Sequence, residues 1–83
     1  MTLKNVFPNP FDDKVKVEYK LPGSAVKATL NVTNLKGLRV SQQELTLGST
    51  ESELNVSELP KGIYLFQIAT ESGKSIAFKG MKK

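Results

Sequence analysis

The sequence predicts an all-β fold, an immunoglobulin-like β-sandwich of about seven antiparallel strands. Three observations lead to this prediction. Apolar and polar residues alternate over several short stretches, as they do in strands that are buried on one face. Clusters of glycine, proline, asparagine and serine separate these stretches at short intervals, which is typical of turns. No stretch shows the i, i+3, i+4, i+7 apolar spacing of a helix over two turns. We therefore expect residues 1–83 to form a single domain.

The clearest alternation lies between Asp13 and Pro22. One face of this stretch carries the apolar residues Val15, Val17, Tyr19 and Leu21. The intervening positions are charged, so the stretch is predicted to be a half-buried strand. A Pro-Gly-Ser turn follows at 22–24. A second strand is predicted after it, with the inward residues Ala28, Leu30 and Val32.

The segment after the Asn-Leu-Lys-Gly turn at 34–37 is less regular. Its apolar residues occupy even positions at the start, Leu38 and Val40, and odd positions at the end, Leu45 and Leu47. An extra residue between the two pairs would let all four face inward. The sequence therefore predicts a β-bulge or a strand break at residues 42–43.

The most apolar run of the chain, residues 63–68, carries large apolar side chains on both parities. It is therefore predicted to be a central strand that is covered on both faces. Leu59, Pro60, Gly62 and Tyr64 precede or begin it in the arrangement of a tyrosine corner, in which the tyrosine hydroxyl bonds to the backbone a few residues upstream.

The end of the chain is predicted to be a hairpin. Residues 71–74 form its loop, and Ile76 and Phe78 mark the last strand, which continues into residues 79–83. Gly80 departs from the apolar or β-branched residue that is expected in such a strand.

The composition excludes several classes of function. The chain has 12 Lys and Arg against 8 Asp and Glu, but Arg39 is its only arginine, which disfavours a nucleic-acid-binding surface. Cysteine and histidine are absent, so the usual metal sites and nucleophile–base pairs are not expected. We predict no enzymatic activity and no cofactor.

Two further features carry no function in this interpretation. The Glu-Ser-Gly-Lys-Ser stretch at 71–75 has Ile68 where a phosphate-binding loop needs glycine. Asp12 and Asp13 lack the spaced series of ligands of a calcium site.

No apolar run is long enough to span a membrane, so no membrane insertion is expected. The amino end lacks the pattern of a signal peptide. Any export would therefore be started by another part of a longer chain.

Two prolines flank one asparagine in the stretch Pro8-Asn9-Pro10. Proline has no N–H for a strand ladder and so occurs at sheet edges or outside sheets. We interpret this stretch mainly as a terminator that keeps the first strand from recruiting neighbours, and secondarily as part of a recognised surface.

Four motifs follow one another along the chain. They are Phe-Pro-Asn-Pro-Phe at 7–11, Asn-Leu-Lys-Gly with the following Arg-Val at 34–40, Leu-Pro-Lys-Gly-Ile-Tyr at 59–64, and Lys-Gly-Met-Lys-Lys at 79–83. In this order and spacing the chain resembles the type A C-terminal sorting domains of the bacterial type IX secretion system.

The resemblance implies a non-enzymatic secretion signal of Bacteroidetes-type bacteria. Outer-membrane type IX components would recognise the domain in the periplasm and carry an upstream, covalently linked cargo to the cell surface or the medium. A surface sortase would then cut the linker upstream of the domain and so remove the domain. The residues implied to contact the machinery are Pro8, Asn9, Pro10, Gly62, Tyr64, Lys79, Lys82 and Lys83. We expect a monomer whose free, lysine-bearing tail meets acidic groups on a receptor.

An adhesive or spacer sandwich of the fibronectin type III or carbohydrate-binding kind is the alternative. The tyrosine corner suits it equally. The chain has no tryptophan, however, and no exposed aromatic platform for sugar stacking is expected.

Overall fold

The computed structural model describes residues 2–23, 25–71, 73–75 and 77–83. These residues contain eight strands and no helix. The strands are β1 Thr2–Phe7, β2 Lys14–Lys20, β3 Ala28–Asn34, β4 Arg39–Leu45, β5 Glu51–Asn55, β6 Gly62–Thr70, β7 Gly73–Lys74 and β8 Phe78–Lys82. Apart from the two-residue β7, this is the predicted number of strands. No helix in the described ranges is both long and apolar enough to cross a membrane.

The strands form two antiparallel sheets. The first sheet has the order β1-β2-β5, and the second runs β4-β3-β6. Two strands share the remaining edge of β6: β8 pairs with Gly62 to Phe66, and β7 pairs with Ala69 and Thr70. Leaving β7 aside, these orders are those of an immunoglobulin-like sandwich, and the predicted fold class is confirmed.

The core lies between the sheets and confirms the inward faces that alternation predicted for β2 and β3. Its members are Leu3, Val6, Phe11, Val15, Val17, Tyr19, Ala28, Leu30, Val32, Leu45, Leu54, Val56, Tyr64, Phe66 and Ile68. Phe11 comes from the loop after β1 and packs edge-on against Phe66 of β6, with ring centroids 5.6 Å apart. Two aromatic rings in this geometry stabilise each other beyond the area they bury.

The bulge predicted at residues 42–43 is instead at Val40. Val32 pairs with Ser41 and Thr33 pairs with Arg39, so Val40 is the extra residue. The prediction assumed that every apolar residue of this segment faces inward. That assumption is wrong, because Leu38, Val40 and Leu47 are exposed and only Leu45 is buried.

Strand β6 is central in its sheet, as predicted, but only one of its faces is covered. Tyr64, Phe66 and Ile68 are buried against the first sheet. Ile63, on the opposite face, is 37% exposed. The prediction that both faces are covered rests on the apolar residues at both odd and even positions of this strand. The described chain forms only two layers, and so the outer face of β6 remains accessible to solvent.

Candidate recognition site at the last strand

Strand β8 is a paired strand rather than a free tail. Its pairing with β6 runs from Phe78, opposite Phe66, to Lys82, opposite Gly62. The expectation of a free tail is therefore wrong. Ile76, which was expected to mark the start of this strand, lies outside the described residues.

The Pro-Asn-Pro segment covers the outer edge of β8. The side-chain Oδ1 of Asn9 accepts a hydrogen bond from the Met81 N–H at 3.0 Å. The Phe11 N–H donates to the Met81 carbonyl at 2.8 Å, and the Lys83 N–H donates to the Phe11 carbonyl at 2.9 Å. The last strand is thus bonded along both edges, by β6 on one side and by this segment on the other. We call residues 9–11 the edge clamp.

Strand β1 ends at Phe7 and Pro8 follows immediately, while the predicted role of the prolines in keeping β1 from recruiting neighbours stays a prediction. Pro8, Asn9 and Pro10 are exposed on the surface. Sequence reasoning missed the edge clamp, because it joins residues 72 positions apart. One feature of the sequence could have indicated it. Asn9 lies between two prolines, which have no N–H groups to donate to its side-chain oxygen, so this oxygen is available to accept a hydrogen bond from elsewhere.

Gly80 stands where no side chain fits. A Cβ at this position would lie 2.9 Å from Cε1 of Phe66 and 3.1 Å from Cε2 of Phe11. Two core rings therefore lie against the backbone of β8. The departure of Gly80 from ordinary strand composition is explained by this close approach.

The tyrosine corner forms as the sequence predicts. The Tyr64 hydroxyl donates to the Pro60 carbonyl four residues upstream, and the side chain is buried. Gly62 has φ of 152°, a backbone conformation that residues with a Cβ rarely adopt. Both residues shape the corner where β6 begins, directly beside the end of β8.

The three lysines of the last segment do not share one environment. Lys79 and Lys83 are exposed, whereas Lys82 is only 6% exposed. Lys82 has the inward parity of Gly80, so most of its side chain is covered, and its contact with a partner stays a prediction. No buried side-chain nitrogen or oxygen in the described ranges lacks a partner. We infer that the Lys82 stem is buried while its ammonium group reaches solvent.

Five of the eight residues implied by the resemblance fall into two groups beside β8. Pro8, Asn9 and Pro10 lie along the outer edge of β8, and Gly62 and Tyr64 lie along its inner edge. The structure thus brings all five next to the strand that carries the three lysines. The resulting site is a surface around β8 and not a cleft.

Several acids lie away from this strand, whereas Asp12 and Asp13 directly follow Phe11 of the edge clamp. On the first sheet, Lys14 pairs with Glu53 and Lys16 with Glu51, each at 3.8 Å. Glu71 lies near the other end of β6 and accepts hydrogen bonds from the backbone of Val26 and of Lys27. Bonds to backbone N–H groups, first its own and then that of Val26, hold the pKa of the Glu71 carboxyl below its usual value.

The residues that the structure describes contain no group of three or more His, Cys, Asp or Glu side chains placed to hold a metal ion. A family model described as the secretion system C-terminal sorting domain matches residues 5–81, nearly the whole chain. No curated protein matches the chain. The family match covers the edge clamp, the tyrosine corner and most of β8. The chain belongs to the C-terminal sorting domains of the type IX secretion system.

Proposed function

We propose that this domain carries an upstream, covalently attached cargo across the outer membrane, and that type IX components recognise it by the surface around β8. The family supplies the secretion role. The observation that supports β8 is its presentation: an ordered strand, bonded at both edges, with Lys79 and Lys83 on one exposed face. Fixed positions lower the entropy cost of forming ion pairs with a receptor.

The proposal includes the route and the fate of the domain. The cargo chain passes through the periplasm, and the outer-membrane components act there on the folded domain. A surface sortase then cuts upstream of the domain and releases it. The edge clamp supports a folded signal, because β1, the start of the domain, leads directly into the segment that holds β8.

The adhesive or carbohydrate-binding alternative has less support. Each of the six aromatic residues is buried or half-buried, so the described surface has no aromatic platform on which a sugar ring could stack.

The test is a fusion of residues 1–83 behind a periplasmic reporter in a type IX-competent cell. We expect the reporter at the cell surface or in the medium. A Lys79→Glu/Lys83→Glu variant should lower the exported fraction by about tenfold, because two attractions become repulsions. The matched control is Lys4→Glu/Lys20→Glu, which changes the same charge on the first sheet and should leave export unchanged.

Two outcomes contradict the proposal. Retention of the unaltered fusion in the periplasm would refute the secretion role. Normal export of the Lys79→Glu/Lys83→Glu variant would refute recognition through these lysines. The mass of the exported reporter tests the sortase step when the fusion also contains the natural upstream linker: an intact fusion at the surface would then exclude removal of the domain.

A further inference from the structure

Exposed apolar side chains cluster on the outer face of the second sheet, beside the tyrosine corner. Leu35 is 67% exposed, Leu38 62%, Ile63 37% and Met81 46%. We call these four residues the corner face. Isolated exposed apolar residues are common on protein surfaces, but a contiguous group of them marks an interaction site.

The corner face is contiguous. Ile63 and Met81 are direct cross-strand partners of β6 and β8. Met81 uses its backbone N–H and carbonyl on the edge clamp, so this is the closely spaced kind of antiparallel pair. Leu35, Leu38 and Ile63 in turn line one shallow groove of about 330 Å³.

Cations surround the corner face. Two of them, Lys36 and Lys61, line the groove itself. The others lie on or beside the same sheet face: Arg39 opposite Thr33, Lys79 opposite Leu65, and Lys83 beyond Met81.

Acids are scarce on this face. Among the outward positions of β3, β4, β6 and β8 the single acid is Glu44, opposite Thr29 near the far end of the strands. The ion pairs of the described residues belong to the first sheet. The five cations named above therefore make the corner face locally positive, in a chain whose net charge is +4.

Three kinds of occupant could cover the corner face: a second copy of the chain, a membrane surface, or a segment of a partner protein. Charge and the shape of the groove decide between them. A second copy would bring the same cations against these and be repelled. A membrane surface favours aromatic residues among the apolar side chains that enter it, whereas the described part of this face has no exposed aromatic residue and forms a shallow groove. A protein segment with apolar side chains between carboxylates fits both the groove and its rim.

We propose that the corner face docks such an acidic, apolar segment of a partner protein. This rests on the proposed function, in which the partner belongs to the secretion machinery, and it adds an apolar groove to the lysines of β8. The groove supplies contact area, and the rim steers the partner and fixes its orientation.

The first test uses a short peptide of alternating aspartate and leucine, titrated into the ¹⁵N-labelled domain. The amide signals of Leu38, Ile63 and Met81 should shift. A Leu35→Ser/Leu38→Ser variant should weaken binding by about tenfold, because it removes two apolar contacts. A matched Val26→Ser/Leu47→Ser variant also removes two exposed apolar side chains, at 77% and 44% exposure, but away from the groove, and should bind as the original does.

Each remaining outcome of this test decides against the proposal. Equal binding of an aspartate–serine peptide would show that charge alone acts. Binding of phosphatidylglycerol vesicles without binding of the peptide would assign the face to a membrane. Self-association that the Leu35→Ser/Leu38→Ser variant abolishes would assign it to a second copy.

The second test separates this inference from the secretion role. Both serine variants are placed in the reporter fusion, and each is checked for an unchanged unfolding midpoint. Export of the original fusion, with export lost only in Leu35→Ser/Leu38→Ser, supports the corner face. Export of all three fusions would refute the corner face and leave the secretion role standing. Failure of the original fusion would refute the secretion role itself.

Discussion

Gly80 shows how a single residue adapts the last strand to the core. The strand pattern calls for a side chain at its inward position, but the rings of Phe11 and Phe66 occupy that space. Phe11 reaches the position because the edge clamp holds its backbone against Met81. The glycine, the two rings and the clamp therefore form one packing unit.

We expect Gly80→Ala to lower the free energy of unfolding by about 1–3 kcal/mol, the usual cost of overpacking a core. The cost arises because the new methyl group would meet ring atoms at 2.9 and 3.1 Å. Urea denaturation followed by circular dichroism measures it. Gly23→Ala is the control, since no atom lies within 4 Å of its Cβ position. Equal midpoints for the two variants would show that the rings move aside freely.

At this scale the sequence predicted side chains whose environment is set by local alternation. The inward residues of β2 and β3 follow from a period of two, and the bond of the Tyr64 hydroxyl to Pro60 spans only four residues. The burial of Lys82 and the space requirement at Gly80 depend on Phe11, which is distant in sequence. No local pattern contains that information.

Among the elements, β8 and the edge clamp depend on each other. A strand at the edge of a sheet presents unpaired N–H and carbonyl groups that attract other chains. Here Asn9 Oδ1 accepts a hydrogen bond from the Met81 N–H, and the Phe11 N–H donates to the Met81 carbonyl. The Phe11 carbonyl accepts a hydrogen bond from the Lys83 N–H. The prolines on either side of Asn9 add no N–H groups of their own, so the clamp extends the sheet only by the single parallel bridge between Phe11 and Lys82.

Asn9→Ala should loosen the last strand without disturbing the core. The loss of one hydrogen bond costs about 0.5–1.5 kcal/mol, which predicts faster amide hydrogen exchange at Met81. Exchange at Phe66, in the sheet centre, should change less. Asn55→Ala is a suitable comparison, because the side-chain Oδ1 of Asn55 accepts its hydrogen bonds from the nearby Ser57 and not from β8. Unchanged protection of Met81 in Asn9→Ala would show that the clamp contributes nothing to holding β8.

Two of the errors at the level of elements concern β4 and β6, and these two have one cause. Their apolar residues were assigned to the interior, yet Leu38 and Ile63 lie on the outer face. An apolar residue that serves a surface looks the same in sequence as one that serves a core. The Val40 bulge was misplaced for the same reason.

For the whole molecule, the sequence was sufficient to predict two layers of antiparallel strands, because alternation and turns recur along the entire chain. It could not predict how the two ends of the chain meet, which depends on contacts between Phe11 and β8. That meeting determines how the domain unfolds. A small domain with 83 residues has a modest stability, on the order of 4–12 kcal/mol by its length.

Removal of residues 79–83 should therefore abolish cooperative folding, because these residues are part of the folded domain and not a flexible extension of it. The truncation takes away the partner of β6 from Gly62 to Leu65 and exposes the rings of Phe11 and Phe66. Burial of each such ring contributes about 1.5–3 kcal/mol, so exposing both rings and losing the strand pairs of residues 79–82 removes a large part of the total stability. We expect a broad, shallow urea transition by circular dichroism and poorly dispersed amide signals.

Removal of Lys83 alone is the matched control for this truncation. It eliminates one hydrogen bond, to the Phe11 carbonyl, and should cost only about 0.5–1.5 kcal/mol while leaving a sharp transition. If the longer truncation also unfolds sharply near the original midpoint, β8 lies outside the cooperative unit. If the longer truncation instead unfolds without a sharp transition, a truncated fusion that fails to be exported has lost its fold, and the failure says nothing about recognition. Only substitutions on the exposed face, such as Lys79→Glu/Lys83→Glu, then test recognition itself.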